Sequence, residues 1–232
     1  MKNLMTVSGL LAVILHGVTL ANTAGEWRTV SRDRLCVTEG TIEKAAGDRM
    51  SVKVPKMRAY VNQWTSQSAE LRFTYLGGTS EQLALGSGAV RRQVGLKLHA
   101  LDACNLVYAM WRIEPEQKLV VSVKRNPNAH ASAECGNRGY ENIKPQRHSA
   151  LPHLQPGQSH TLRAEMKNSE LRVFADGNEV WEGDVGTDAA NFNGPIGIRS
   201  DNARLEFTLQ AGQYEGVHPM FELACKAGAG EE

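Results

Sequence analysis

Leu171-Arg172-Val173-Phe174-Ala175-Asp176-Gly177-Asn178-Glu179-Val180-Trp181 is the stretch that decides the fold. Alternating runs flank Asp176-Gly177, a dipeptide that accepts the positive φ of a tight hairpin turn. Two antiparallel strands are therefore expected here. Similar runs recur at residues 51–54, 71–75, 93–100, 105–114, 119–124, 160–166, 196–199 and 204–209. Turn formers punctuate them: Gly77-Gly78, Asn126-Pro127, Pro156-Gly157 and Gly194-Pro195. No segment after residue 25 sustains a 3.6-residue apolar period, so the crossover helices of a parallel sheet are lacking. The predicted fold is all-β, an antiparallel two-sheet sandwich.

The chain has 232 residues, with 26 Lys plus Arg against 25 Asp plus Glu. That balance lacks the cation surplus of a phosphate-backbone binder, so no nucleic-acid partner is expected. With 41% hydrophobic and 22% charged residues the composition is globular. Residues 1–24 read as a secretory signal peptide: Lys2, then an apolar run over 10–20, then small residues ending at Ala21 or Ala24. The run is too short to span a bilayer, and no cysteine lies nearby to carry a lipid. The expected organisation is a signal peptide (1–24), a single β-sandwich domain (25–225) and a disordered tail (226–232). A secreted or periplasmic monomer follows, with no membrane attachment after cleavage.

Export gives the four cysteines a meaning, because an even number in an oxidising compartment suggests two disulfides. Of three possible connectivities, spacing favours Cys104–Cys135 as a local loop and Cys36–Cys225 tying the ends of the domain. No CxxC or CxH pair offers a zinc site.

The C-terminal third orders residues 159–165, the Asp176-Gly177 hairpin ending in Val180-Trp181, Asn193-Gly194-Pro195-Ile196-Gly197-Ile198-Arg199, and Leu205-Glu206-Phe207-Thr208-Leu209. In that order it resembles the concanavalin A-like lectin/glucanase superfamily of jelly rolls, in its bacterial secreted branch related to laminin-G and keto-disaccharide hydrolase domains. It implies a jelly roll that engages polysaccharide or oligosaccharide on a concave polar face. It also admits an enzyme, either a glycoside hydrolase or a polysaccharide lyase acting on a plant or algal polymer. No cofactor is expected beyond a structural calcium, for which Asp201 and Asn202 are the candidates.

The superfamily's ExDxE carboxylate motif is absent, leaving Glu114 and Glu206 as lone candidates for glycosidic acid–base work. The alternating strands nominate a binding surface instead. With Val94, Leu96 and Leu98 inward, Gln93, Lys97 and His99 face out. The next strands add Tyr108, Arg112 and Glu114, then Ser122 and Lys124. The cations outnumber the acid, which suits an anionic sugar. Alginate-lyase-like jelly rolls resemble this groove, and His99 with Tyr108 are the acid–base candidates there. The Gln-x-His and Tyr-x-Lys signatures of such enzymes are missing, since position 97 is Lys. Trp64, set among polar residues, is the candidate stacking platform, whereas Trp111 and Trp181 read as core. Arg138 and Tyr140 are candidate rim contacts on a disulfide-pinned loop.

Overall fold

The structure, a computed structural model, describes residues 27–212. The expected signal peptide, the tail and Cys225 lie outside the described residues. In chain order the strands are β1 (Arg28–Val30), β2 (Leu35–Glu39), β3 (Glu43–Lys44), β4 (Met50–Val52), β5 (Lys56–Thr65), β6 (Ser68–Gly78), β7 (Arg92–Leu98) and β8 (Leu106–Glu114). There follow β9 (Lys118–Lys124), β10 (Tyr140–Asn142), β11 (Arg147–His148), β12 (Ser159–Lys167), β13 (Glu170–Ala175), β14 (Asn178–Asp184), β15 (Pro195–Asp201) and β16 (Ala203–Ala211). Two single-turn helices, α1 (Ser132–Cys135) and α2 (Thr187–Ala190), sit in loops.

The strands form two antiparallel sheets, one of nine strands in the order β11-β14-β13-β12-β6-β16-β4-β3 with β1 also on β16. The other has seven, ordered β10-β9-β8-β7-β15-β5-β2. This is the predicted two-sheet sandwich. The deciding hairpin forms as read, with Asp176 and Gly177 both at positive φ (50° and 81°) between β13 and β14.

Period-2 alternation sends one face of each sheet inward. Met57, Ala59 and Val61 of β5 meet Val94, Leu96 and Leu98 of β7, Val107, Ala109 and Trp111 of β8, and Ile196 and Ile198 of β15. Phe73 from the nine-stranded sheet meets Trp111 edge to face, with ring centroids 5.9 Å apart. Trp111 and Trp181 are buried, as expected. Strand β5 was not legible as such, although Met57, Ala59 and Val61 alternate within it. It supplies much of the functional face.

Candidate functional site

The outer face of the seven-stranded sheet is a groove enclosing about 820 Å³. Gly95 and Gly197 occupy outward-facing positions next to Lys97 and Arg199, and a Cβ on either would come within 2.3 Å of the backbone oxygen of Ala109 or Ala59. Only glycine lets adjacent strands close up on that side.

Six residues nominated from alternation share the groove: Gln93, Lys97, Tyr108, Arg112, Ser122 and Lys124. Strands β5, β15 and β10 add Arg58, Tyr60, Arg199 and Tyr140. Tyr60, Tyr108, Leu106, Met110 and Ala100 form a small apolar cluster on the floor. Tyr140 stacks on Tyr108 at 5.9 Å. The lining carries seven cationic side chains (Lys56, Arg58, Arg91, Lys97, Arg112, Lys124 and Arg199) against two carboxylates (Glu39 and Asp102). Positive potential is thus concentrated on one face of a nearly neutral chain.

Asp102 is already engaged, and so is Asp201, which lies beneath the groove rather than on its lining. Asp201, fully buried, accepts from Arg58 Nη2 at 2.5 Å, Arg199 Nε at 2.8 Å and Gln93 Nε2 at 2.7 Å. Burial alone would raise its pKa, but Arg199 and Arg58 overcome that and hold it at about 2. Asp102 accepts from the backbone N–H groups of Cys104 and Asn105 and lies 2.7 Å from His130 Nδ1. It anchors the end wall of the groove, where the Cys104–Cys135 disulfide pins α1. The local pairing expected from spacing is thus present. Lys124 Nζ ties into the same wall by donating to the carbonyls of Ala103 and Gly136.

Lys97 differs from these. It is 1% exposed, and its Nζ stands 3.6 Å from the Tyr60 ring centroid. Burial, then repulsion from Arg58 and Arg199, pushes its pKa well below the ordinary lysine value. Burial works against the Tyr140 phenolate, yet Arg199, Lys124 and the hydrogen bond with Tyr108 outweigh it and bring that phenol below its usual pKa. The Tyr108 phenol moves the other way, raised chiefly by burial.

Four nominated residues lie elsewhere. The strand ends at Leu98, and His99 turns over at φ 47°, with its Nδ1 2.9 Å from the Ala190 carbonyl, outside the groove lining. Glu114 sits at the exposed end of β8 paired with Arg92, because a register shift between Arg92 and Gln93 displaces that end. Trp64 is half-buried against the core rather than on the groove, following an irregularity where β5 meets β15. Glu206 belongs to the nine-stranded sheet and pairs with Arg49 at 3.1 Å, so it shares no cleft with Glu114. Asp201 and Asn202 do not fit the calcium role. The carboxylate serves two guanidiniums, while the Asn202 amide bonds Leu83 and the Arg91 carbonyl. Among the described residues no cluster of three or more His, Cys, Asp or Glu suits a metal.

Arg58, Tyr60 and Arg199 were missed as site residues. The available signal was alternation: Arg58 and Tyr60 lie between Met57, Ala59 and Val61, and Arg199 follows Ile198.

Fold and groove together define a jelly-roll sandwich with a cationic, tyrosine-floored concave face. No family model matches the chain, and neither does any curated protein. Solved structures do. The carbohydrate-binding module CBM66 from Bacillus subtilis superposes with a TM-score of 0.51 at 12% identity, over 80% of this chain and 96% of that one. The Emp46p carbohydrate recognition domain gives 0.48 at 10% identity, over 80% and 90%. LamAcat from Zobellia galactanivorans gives 0.45 at 12% identity, over 72% and 78%. The first likeness establishes the shared sandwich fold.

Proposed function

We propose that this protein is an exported polysaccharide-binding sandwich whose ligand lies along the concave face of the seven-stranded sheet. The observation that carries the reading is the convergence of Lys97, Arg112 and Arg199 with Tyr60, Tyr108 and Tyr140 in one open groove. Pyranose rings offer C–H faces to aromatic rings and hydroxyl edges to groups such as Gln93 and Ser122. The cation excess selects a chain bearing carboxylates or sulfates over a neutral one. The fold shared with a carbohydrate-binding module supports the ligand class. Export through residues 1–24 would bring the groove to extracellular or envelope polymers. Retention on immobilised acidic and neutral polysaccharides tests the reading. Acidic polymers should be held, and Tyr140→Ala should weaken the hold. A folded protein that retains none of them would refute it.

One observation favours a second reading, eliminative cleavage of a uronate polymer. The Tyr140 phenolate, favoured by Arg199 and Lys124, would take the proton from a sugar carbon beside a carboxylate that Arg112 or Lys97 neutralises. The C–H electron pair would become the C=C bond as the bond to the 4-linked oxygen breaks. That oxygen would leave as an alcohol after taking a proton from the newly formed Tyr140 phenol or from water. New ultraviolet absorbance from unsaturated uronate ends would support this reading, and polymer bound without chain shortening would refute it.

A further inference from the structure

A second trough, about 750 Å³, lies on the flank of the sandwich where residues 143–146 cross from the seven-stranded to the nine-stranded sheet and residues 149–154 run on beyond β11. Its apolar lining includes Leu119, Ile143, Leu151 and Trp181, and Gln117 secures the segment after β11 through Pro152 and Leu154. Arg91, Arg112, Val120 and Asn142 line both this trough and the concave groove. The two cavities therefore meet at a pair of guanidiniums.

Neither Arg91 nor Arg112 forms an ion pair among the described residues, although most arginines around them do. Arg112 Nε is buried without an acceptor. Burial, then Arg91 itself, lowers the proton affinity of Arg112, and the Glu116 carboxylate that partly offsets this is paired with Lys118 at 2.5 Å. The positions are also held. Arg112 sits in register between Gln93 and Lys118, and the Arg91 carbonyl accepts from Asn202 Nδ2 at 2.9 Å. A buried donor without an acceptor is uncommon in folded proteins and calls for a partner. A planar fork of N–H groups matches a carboxylate or sulfate ester.

We infer that Arg91 and Arg112 form an anion subsite at which an acidic polysaccharide leaves the concave groove and continues into the flank trough. The inference rests on the concave-face reading above and adds the chain's path and the group that marks it. An anionic group would be held by the guanidinium forks of the two arginines, and the next sugars would lie along Ile143 and Leu151.

Affinity electrophoresis and calorimetry with polygalacturonate, alginate and heparin, each as long and as short fragments, test it. Wild type should bind long fragments of at least one polymer more tightly than short ones. Arg91→Gln with Arg112→Gln should lose roughly 10- to 100-fold on long fragments, the weight of one or two charge-assisted hydrogen bonds. Arg112→Lys should recover only part, since it keeps the charge and loses the fork. Ala150→Glu, which places an acid on the flank trough away from the concave groove, should weaken long fragments and spare short ones. Circular dichroism confirms folding of each variant. If the double variant and Ala150→Glu bind every fragment like wild type, the subsite is overturned and Arg112 drops out of the concave-face reading, which then stands if Tyr140→Ala weakens binding and falls if it does not. If wild type binds none of the acidic polymers, both fall.

Discussion

Lys97 Nζ lies 3.6 Å from the centroid of the Tyr60 ring, beneath a groove that faces solvent. Tyrosine supplies a negative π face, but that attraction returns only part of the hydration lost by an ammonium. Lys97 makes no ion pair among the described residues, while Arg58 and Arg199 repel it. Such a residue is costly to stability and suits an anion arriving from outside. Lys97→Met keeps the stem volume and removes the charge, so the variant should be more stable by about 1–2 kcal/mol. For a domain of this size that raises Tm by about 2–8 °C. The same variant should bind acidic polysaccharide less tightly. Thermal melts and calorimetry on one preparation check both signs.

Ligand binding should also move a proton. An anion placed over Lys97 raises its lowered pKa toward the ordinary value, so binding takes up protons wherever the free protein holds the amine partly neutral. The binding enthalpy measured in buffers of different ionisation heat should reveal that uptake, and affinity should rise as pH falls. Lys97→Met should abolish the buffer dependence.

Asp201 is the structural centre of the face. Its folded pKa, about 2, lies below the ordinary 3.8, so its carboxylate stabilises the fold fully above pH 3.8 and ceases to as pH falls through about 2. The shift corresponds to about 2 kcal/mol. Asp201→Asn should flatten the acid limb of a stability–pH curve in that window. At neutral pH it should cost about 3–5 kcal/mol, because Arg58 and Arg199 would remain buried without their anion. Chemical denaturation from acid to neutral pH measures both effects.

The sandwich was legible because turn chemistry and period-2 alternation agree locally, as at Asp176-Gly177 between β13 and β14. The same alternation placed Lys97, Tyr108, Arg112 and Lys124 on one face, since side-chain direction within a regular strand depends only on parity. Parity fails where strands end or bulge. His99 lies one residue past β7 in a left-handed conformation, and Glu114 lies beyond the register shift at Arg92. Pairings between distant segments were not legible either. The contacts of Asp201 with Arg58, 143 residues away, and of Tyr140 with Arg199 depend on which strands become neighbours.

The Cys104–Cys135 disulfide closes a span of 31 residues and holds the wall to which Lys124 donates. Loop-closure entropy gives it about 3–4 kcal/mol. Replacing both cysteines by serine should lower stability by about that amount. Because Lys124 and Tyr140 flank the same loop, polysaccharide affinity should fall as well, even at temperatures where the variant stays folded. Hydrogen exchange should report faster opening at residues 126–139, with β13 and β14 unchanged.

Tyr140 offers a titration that reads the groove directly. The residue is 38% exposed and its hydroxyl accepts from Arg199 Nη1 at 3.4 Å, whereas Tyr60 and Tyr108 are buried with raised pKa values. Alkaline difference spectroscopy should therefore show a phenolate forming below the ordinary tyrosine range, and Tyr140→Phe should remove that transition. A phenolate beside Arg199 and Lys124 cancels positive charge where an acidic ligand would sit, so affinity should fall as pH rises through the transition. In Tyr140→Phe that fall should vanish while binding at neutral pH persists, since the ring still stacks on Tyr108. Bound acidic polysaccharide should push the wild-type transition to higher pH. An unmoved transition in the presence of saturating ligand would place the binding site away from Tyr140.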